Sequence, residues 1–173
     1  MTARPASAAP KDKGENVARP TTAMLHYTAP PTIGGVETVI QAHARAFLRA
    51  GYPVTVIAGQ GDKASLPEGA SLIRIPEVDS RHPTVLSMSA QLEAGRVPAE
   101  LDAFVERLGR RLGPHLAGVD NLIVHNLLGK DFNLPLTAAL FRLLEAGALP
   151  HLIAWGHDFS WTSPSSRTRV HPG

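Results

Sequence analysis

The run Ala23-Met24-Leu25-His26-Tyr27 gives way to Ala29-Pro30-Pro31-Thr32-Ile33-Gly34-Gly35, and this change of composition decides the fold. A short apolar and aromatic segment ending in prolines and glycines is a strand that runs out into a loop. Immediately after it, Val36, Val39, Ile40, Ala44, Phe47 and Leu48 recur three and four apart, with Glu37, Gln41, Arg45 and Arg49 on the opposite face. That spacing predicts an amphipathic helix, started at the Gly-Gly turn and stopped by Gly51. Pro53-Val54-Thr55-Val56-Ile57-Ala58 is then β-branched and almost wholly apolar, as a strand buried on both faces of a parallel sheet must be. Strand, helix and strand in so short a span make a βαβ unit.

Working outward, the polar loop 59–69 leads to Ser71-Leu72-Ile73-Arg74-Ile75, a third strand that ends at Pro76. Residues 77–97 have no readable period, and Pro83 and Pro98 bracket Val85-Leu86-Ser87-Met88, so at most a short strand or helical turn is expected there. From Pro98 to Leu116 the positions Leu101, Phe104, Val105, Leu108 and Leu112 are helical, with the proline suited to a first turn. Asn121-Leu122-Ile123-Val124-His125 reads as a buried strand, Leu134 to Ala146 as a helix closed by Gly147, and His151-Leu152-Ile153-Ala154-Trp155 as the last strand. Alternation of this kind predicts an α/β protein: a Rossmann-like open parallel sheet with helices on both faces and strand order 3-2-1-4-5. Ligands of such sheets bind beyond the carboxyl ends of the strands, where the order reverses, here between strands one and four.

A chain of 173 residues has room for one domain with a real core. The expected division is a disordered tail over 1–21, a Rossmann-like domain over 22–162, and a loop or truncated end over 163–173. Met1 to Pro20 carries almost nothing apolar to offset the entropy of ordering it. The net charge is only +2 and the lysines and arginines are scattered, which argues against nucleic acid as a partner despite a pI near 9.3. The absence of cysteine excludes disulfides and thiolate metal sites. No apolar run approaches the ~20 residues that cross a bilayer, and the start lacks a signal-peptide core, so a cytoplasmic location is the default expectation.

Three loops should meet at the rim where the order reverses: 30–35, 125–133 and 156–161. Gly34 and Gly35 let the backbone approach a ligand closely and open onto a helix start, which favours an anion such as a diphosphate. Read blandly, they are a flexible turn, with Glu37 complementing the helix dipole. They are not the dinucleotide fingerprint, because no G-x-G-x-x-G follows the first strand. His125 and Asn126 end the fourth strand, and His157 and Asp158 follow the fifth. One strand-end histidine is ordinarily structural, whereas two on adjacent strand ends beside a Gly-Gly helix start point towards a site, where an imidazole can exchange hydrogen bonds with ligand hydroxyls such as those of a sugar and can carry charge near neutral pH. His125, His157 and Asp158 lack the spacing of a metal motif, and no metal is expected. His26, His43, His82, His115, His151 and His171 read as face, loop or surface positions and are assigned no role. Trp155, Phe159 and Trp161 either stack on a ligand or pack beneath the loop, the second being the commoner use. Hydrolase, P-loop and zinc-protease motifs are missing.

The stretch from Leu25-His26-Tyr27 through Ile33-Gly34-Gly35-Val36-Glu37, continued by a helix and Ala50-Gly51-Tyr52-Pro53-Val54-Thr55-Val56, resembles the start of family 4 retaining glycosyltransferases. Ile123-Val124-His125-Asn126 and Trp155-Gly156-His157-Asp158 look like that family's later strand-end segments, so the resemblance covers roughly residues 22 to 162. It implies one half of a GT-B fold, in which two Rossmann-like domains face each other across a cleft. By the resemblance, Gly34 and Gly35 lie against the donor's diphosphate and His157 contacts the transferred sugar as the catalytic residue. His125, Asn126 and Asp158 are expected to bind acceptor or sugar. No cofactor and no metal are implied. The partners implied are a nucleoside diphosphate sugar and an acceptor, with peripheral membrane contact if that acceptor is a lipid. The family's E-x7-E donor signature belongs to a C-terminal domain, and nothing after Trp161 matches it. The chain is therefore expected to be the acceptor-side half, inactive alone. The alternative is a non-catalytic ligand-binding or regulatory module.

Overall fold

A computed structural model describes residues 18–159 and 162. The expected tail, apart from residues 18–21, Trp161, and the end segment 163–173 lie outside the described residues. Five strands, β1 (Thr22–Leu25), β2 (Val54–Ala58), β3 (Ser71–Arg74), β4 (Asn121–His125) and β5 (His151–Trp155), form one sheet in the order β3-β2-β1-β4-β5. Every pairing is parallel. The order is the one anticipated from the sequence, and its reversal falls between β1 and β4.

Among the described residues four α-helices cover the sheet: α1 (Gly35–Arg49), α2 (Pro83–Glu93), α3 (Leu101–Leu116) and α4 (Leu134–Glu145). Alternate strand residues feed two separate cores, because successive side chains point to opposite faces. Met24, Val54, Val56 and Ile123 pack with Ile40 and Ala44 of α1. Ala23, Leu25, Ile57, Leu122 and Val124 pack on the other face with Phe104, Leu108 and Leu112 of α3 and Leu136 and Leu140 of α4. Among the described residues the core is thus lopsided, with α1 and loop residues such as Leu66 and Ala70 on one side and α2, α3 and α4 on the other.

Residues 77–97 hold more structure than their sequence suggested. A 3-10 turn at Pro76–Val78 is followed by the 11-residue α2, with Pro83 in its first turn. Only Val85 and Met88 of α2 are fully buried while Leu86 is largely exposed, so the helix presents no apolar stripe to read. α3 begins at Leu101, later than expected, and Pro98 instead closes a turn onto the Leu101 amide. Asn133 secures the junction between these parts. Its side chain caps α4 by accepting from the Leu136 amide at 3.0 Å, and donates to the carbonyls of Glu77 and Val78 at 3.0 and 3.1 Å. A fully buried amide whose nitrogen and oxygen are both hydrogen-bonded fixes the turn after β3 against the start of α4.

Candidate functional site

At the reversal point β1 runs directly into His26, which is buried. Its Nδ1 lies 2.8 Å from the backbone carbonyl of His125. A carbonyl only accepts, so Nδ1 carries the hydrogen, and in the neutral ring Nε2 keeps its lone pair. That Nε2 is 3.9 Å from the Glu37 carboxylate. Burial lowers the His26 pKa, against the opposing pull of the His125 carbonyl and Glu37.

Glu37 is itself buried and accepts a hydrogen bond from the Thr28 hydroxyl. Sequence reading placed it on the solvent face of α1. The correction has a simple origin: Glu37, Ile40 and Ala44 are spaced three and four apart and share the inward stripe. Its carboxylate folds back over the helix start, where a Cβ on Gly34 would stand 2.1 Å from Oε2. Gly34 is extended, so the glycine serves this close approach and not an unusual backbone angle. On the side of Gly35 that a Cβ would occupy, nothing lies within 4 Å. The first-turn amides of α1 have no partner along the helix and no side-chain cap at Gly34.

On the other side of the reversal, His125 is completely buried with its Nδ1 3.5 Å from Nε2 of the exposed His157. The His43 ring on α1 lies 5.4 Å from that of His125 and meets Trp155 edge-on at 4.6 Å. Burial, then the neighbouring His43, His157 and His26, push the His125 pKa down to about 3. His43 is also lowered, by burial and by His157. Nε2 of His125 and Nδ1 of His43 are buried and have no hydrogen-bond partner among the described residues. Four imidazoles, from the residue after β1, from α1, from the end of β4 and from the loop after β5, therefore converge.

Asn126 and Asp158 come together as a clamp. Asn126 adopts the left-handed region (φ 49) and donates its amide to the Trp155 carbonyl at 2.8 Å. Its Oδ1 accepts from the amides of His157 and Asp158, each at 3.2 Å, and its Nδ2 donates to Asp158 at 2.6 Å. Lys130 holds the second Asp158 oxygen at 2.6 Å and, as the largest cause, keeps its pKa low. The clamp thus presents His157 from a loop whose backbone is hydrogen-bonded in place. Phe159, which remains exposed, lies against two glycines, its ring 2.7 Å from where a Cβ would stand on either Gly129 or Gly156.

An open cleft of about 500 Å³ lies beside the start of α1, with His26, Thr28, Glu37, Gln60, Asp79 and Asn126 among its walls. Asp79 is buried, accepts from Gln60 and from the Arg81 amide at 2.9 Å, and packs so closely on Gly59 that a Cβ there would sit 2.2 Å from the Asp79 nitrogen. The structure therefore brings all of Gly34, Gly35, His125, Asn126, His157 and Asp158 to one rim, and adds His26, His43, Glu37, Gln60 and Asp79. His26 and Glu37 had a readable signal, the first following a buried strand and the second lying on the helix's apolar stripe. His43, three residues after Ile40 and four before Phe47, lies on that stripe too, and Gln60 and Asp79 had no such signal. Among the described residues no three His, Asp or Glu side chains are grouped to hold a metal ion, and no helix is long and apolar enough to cross a membrane. Compared with known protein families and with curated proteins, the chain matches none.

Proposed function

We propose that this domain is the acceptor-side half of a glycosyltransferase that moves a sugar from a nucleoside diphosphate donor, with the reacting sugar held at His157. The observation that carries the reading is the sharing of one rim, at the strand-order reversal, by an uncapped helix start and a paired His125 and His157. The donor's diphosphate approaches α1 over the open side of Gly35, where amides and dipole favour negative charge. His157, exposed and adjacent to a neutral His125, hydrogen-bonds the sugar as charge develops at its anomeric carbon. Asn126 and Asp158 hold the loop that presents it. The resemblance of the strand-end segments to family 4 retaining enzymes supports the same assignment.

Transfer requires groups fixed on both sides of the reacting centre, and one domain supplies one side. The isolated chain is expected to show no turnover with labelled nucleotide sugars and acceptors, while its Gly35 and His157 amide resonances shift on titration with a nucleoside diphosphate sugar. Robust transfer by this chain alone would overturn the half-site reading, and the lack of any shift across a panel of UDP-, GDP- and ADP-sugars would overturn the donor assignment.

The position of Glu37 favours a second reading, a binding module without transfer. Its carboxylate lies across the Gly34 side of the helix start and repels a phosphate there. Binding of sugars with no response to any nucleotide would favour it.

A further inference from the structure

Resting on the glycosyltransferase reading for its consequence, though not for its chemistry, we propose that His43 and His157 form a proton-operated switch, in which a proton on His43 turns the His157 ring out of the rim and away from the reacting sugar. The four imidazoles are unequally provided with counter-charge. His26 has the Glu37 carboxylate 3.9 Å away, and His157 is followed by Asp158, whose carboxylate Lys130 and Asn126 hold in place. The charged groups that bear on His125 are His43, His157 and His26, all of them imidazoles, and the one that bears on His43 is His157. Among the described residues no carboxylate is set against either inner ring, and each of the two keeps a buried ring nitrogen with no hydrogen-bond partner. Such rings are settled in the fold only while uncharged.

One member of the cluster is free to move. His26 is tied through Nδ1 to the His125 carbonyl, His125 is completely buried in β4, and His43 stands edge-on against Trp155 at 4.6 Å. His157 is exposed, and the Asn126 clamp holds its backbone amide and not its ring, so the side chain can leave by rotation with no element displaced. The polar contact that keeps the ring inward is the 3.5 Å approach of its Nε2 to the His125 Nδ1, where one nitrogen donates and the other accepts. That contact survives a proton on His157, which as a cation still donates to a neutral His125. A further charge on His43, 5.4 Å from the His125 ring, meets only imidazoles, and outward rotation of His157 relieves the repulsion. The remaining charged groups facing the cluster are Glu37 from α1, Lys130 from the loop after β4 and Asp158 from the loop after β5, while β5 itself contributes the uncharged Trp155. Burial and His157 lower the His43 pKa, so the ring stays inward at neutral pH and turns outward as the pH falls below the ordinary histidine value.

The test is NMR of the full chain, following the nuclear Overhauser contact between the His125 and His157 rings, whose centroids are 5.8 Å apart, from about pH 7.5 to about pH 4.5. The contact is expected at neutral pH and is expected to vanish on acidification while the amide spectrum stays dispersed. His43→Phe keeps an aromatic edge on Trp155 but takes no proton, and in it the contact should persist across the same range. A contact that is absent at neutral pH, that survives to the acid end, that goes only together with the amide dispersion, or that is lost at the same pH in a folded His43→Phe overturns the proposal. The wild-type series decides the matter if the variant does not fold. No nucleotide sugar enters the measurement, so a failure of the donor assignment, read by titration at Gly35 and His157, is distinguishable from a failure of the switch.

Discussion

At the scale of single residues, the pairing of an exposed His157 with a buried His125 separates a chemical role from a structural one. Replacing His157 with alanine in an enzyme carrying this domain is expected to lower kcat by on the order of 10²-fold, the loss typical of one preorganised polar group at a reaction centre. The melting temperature should hardly move, because the side chain is exposed and contributes little to either core. A destabilised but fully active variant would rule the catalytic role out. His125 predicts the opposite behaviour. Its folded pKa of about 3 lies below the ordinary 6.5, so the unfolded chain takes up a proton first. Its contribution to stability is fully present above about pH 6.5 and is lost as the pH falls toward 3, at up to about 1.4 kcal/mol per pH unit. His26 and His43, also lowered, act in the same direction. Thermal unfolding followed from pH 7 to pH 5 should show a falling midpoint, with a shallower fall in His125→Gln. A flat wild-type profile would contradict the buried neutral cluster.

At the scale of elements, the helices and strands with a strong period were legible and those held by single polar bonds were not. The stripe of α1, the β-branched β2 and the spacing within α3 each bury a continuous apolar face, and burial of that kind leaves its period in the sequence. α2 is held at only two fully buried positions and by the turn before it, so no period records it. The same distinction explains the site. His125 and His157 could be singled out in the sequence because they lie at or just past strand ends, whereas Asp79 is brought to the cleft by a 3-10 turn that composition does not announce. Asn133 is the polar bond on which that region depends. Asn133→Ala removes the α4 cap and leaves the carbonyls of Glu77 and Val78 without their donor, and should cost about 2–4 kcal/mol in urea unfolding. A loss under about 1 kcal/mol would mean that the junction is not held this way.

At the scale of the whole molecule, the strand order was legible because right-handed crossovers leave few ways to join alternating strands and helices, and the reversal point followed from the order. The unequal division of the cores was not, since it depends on which face each helix takes. α1 packs over one face of the sheet, and its His43 reaches across to Trp155 of β5, 4.6 Å away and edge-on. That contact makes the protein its own optical gauge. An excited indole gives up its emission to a protonated imidazole far more readily than to a neutral one, and the chain has only two tryptophans, Trp155 and Trp161. In Trp161→Phe, the remaining fluorescence should stay bright through neutral pH and dim only on acidification below the ordinary histidine range, following the lowered pKa of His43. A ligand that displaced α1 from β5 would be seen in the same signal, with no label added.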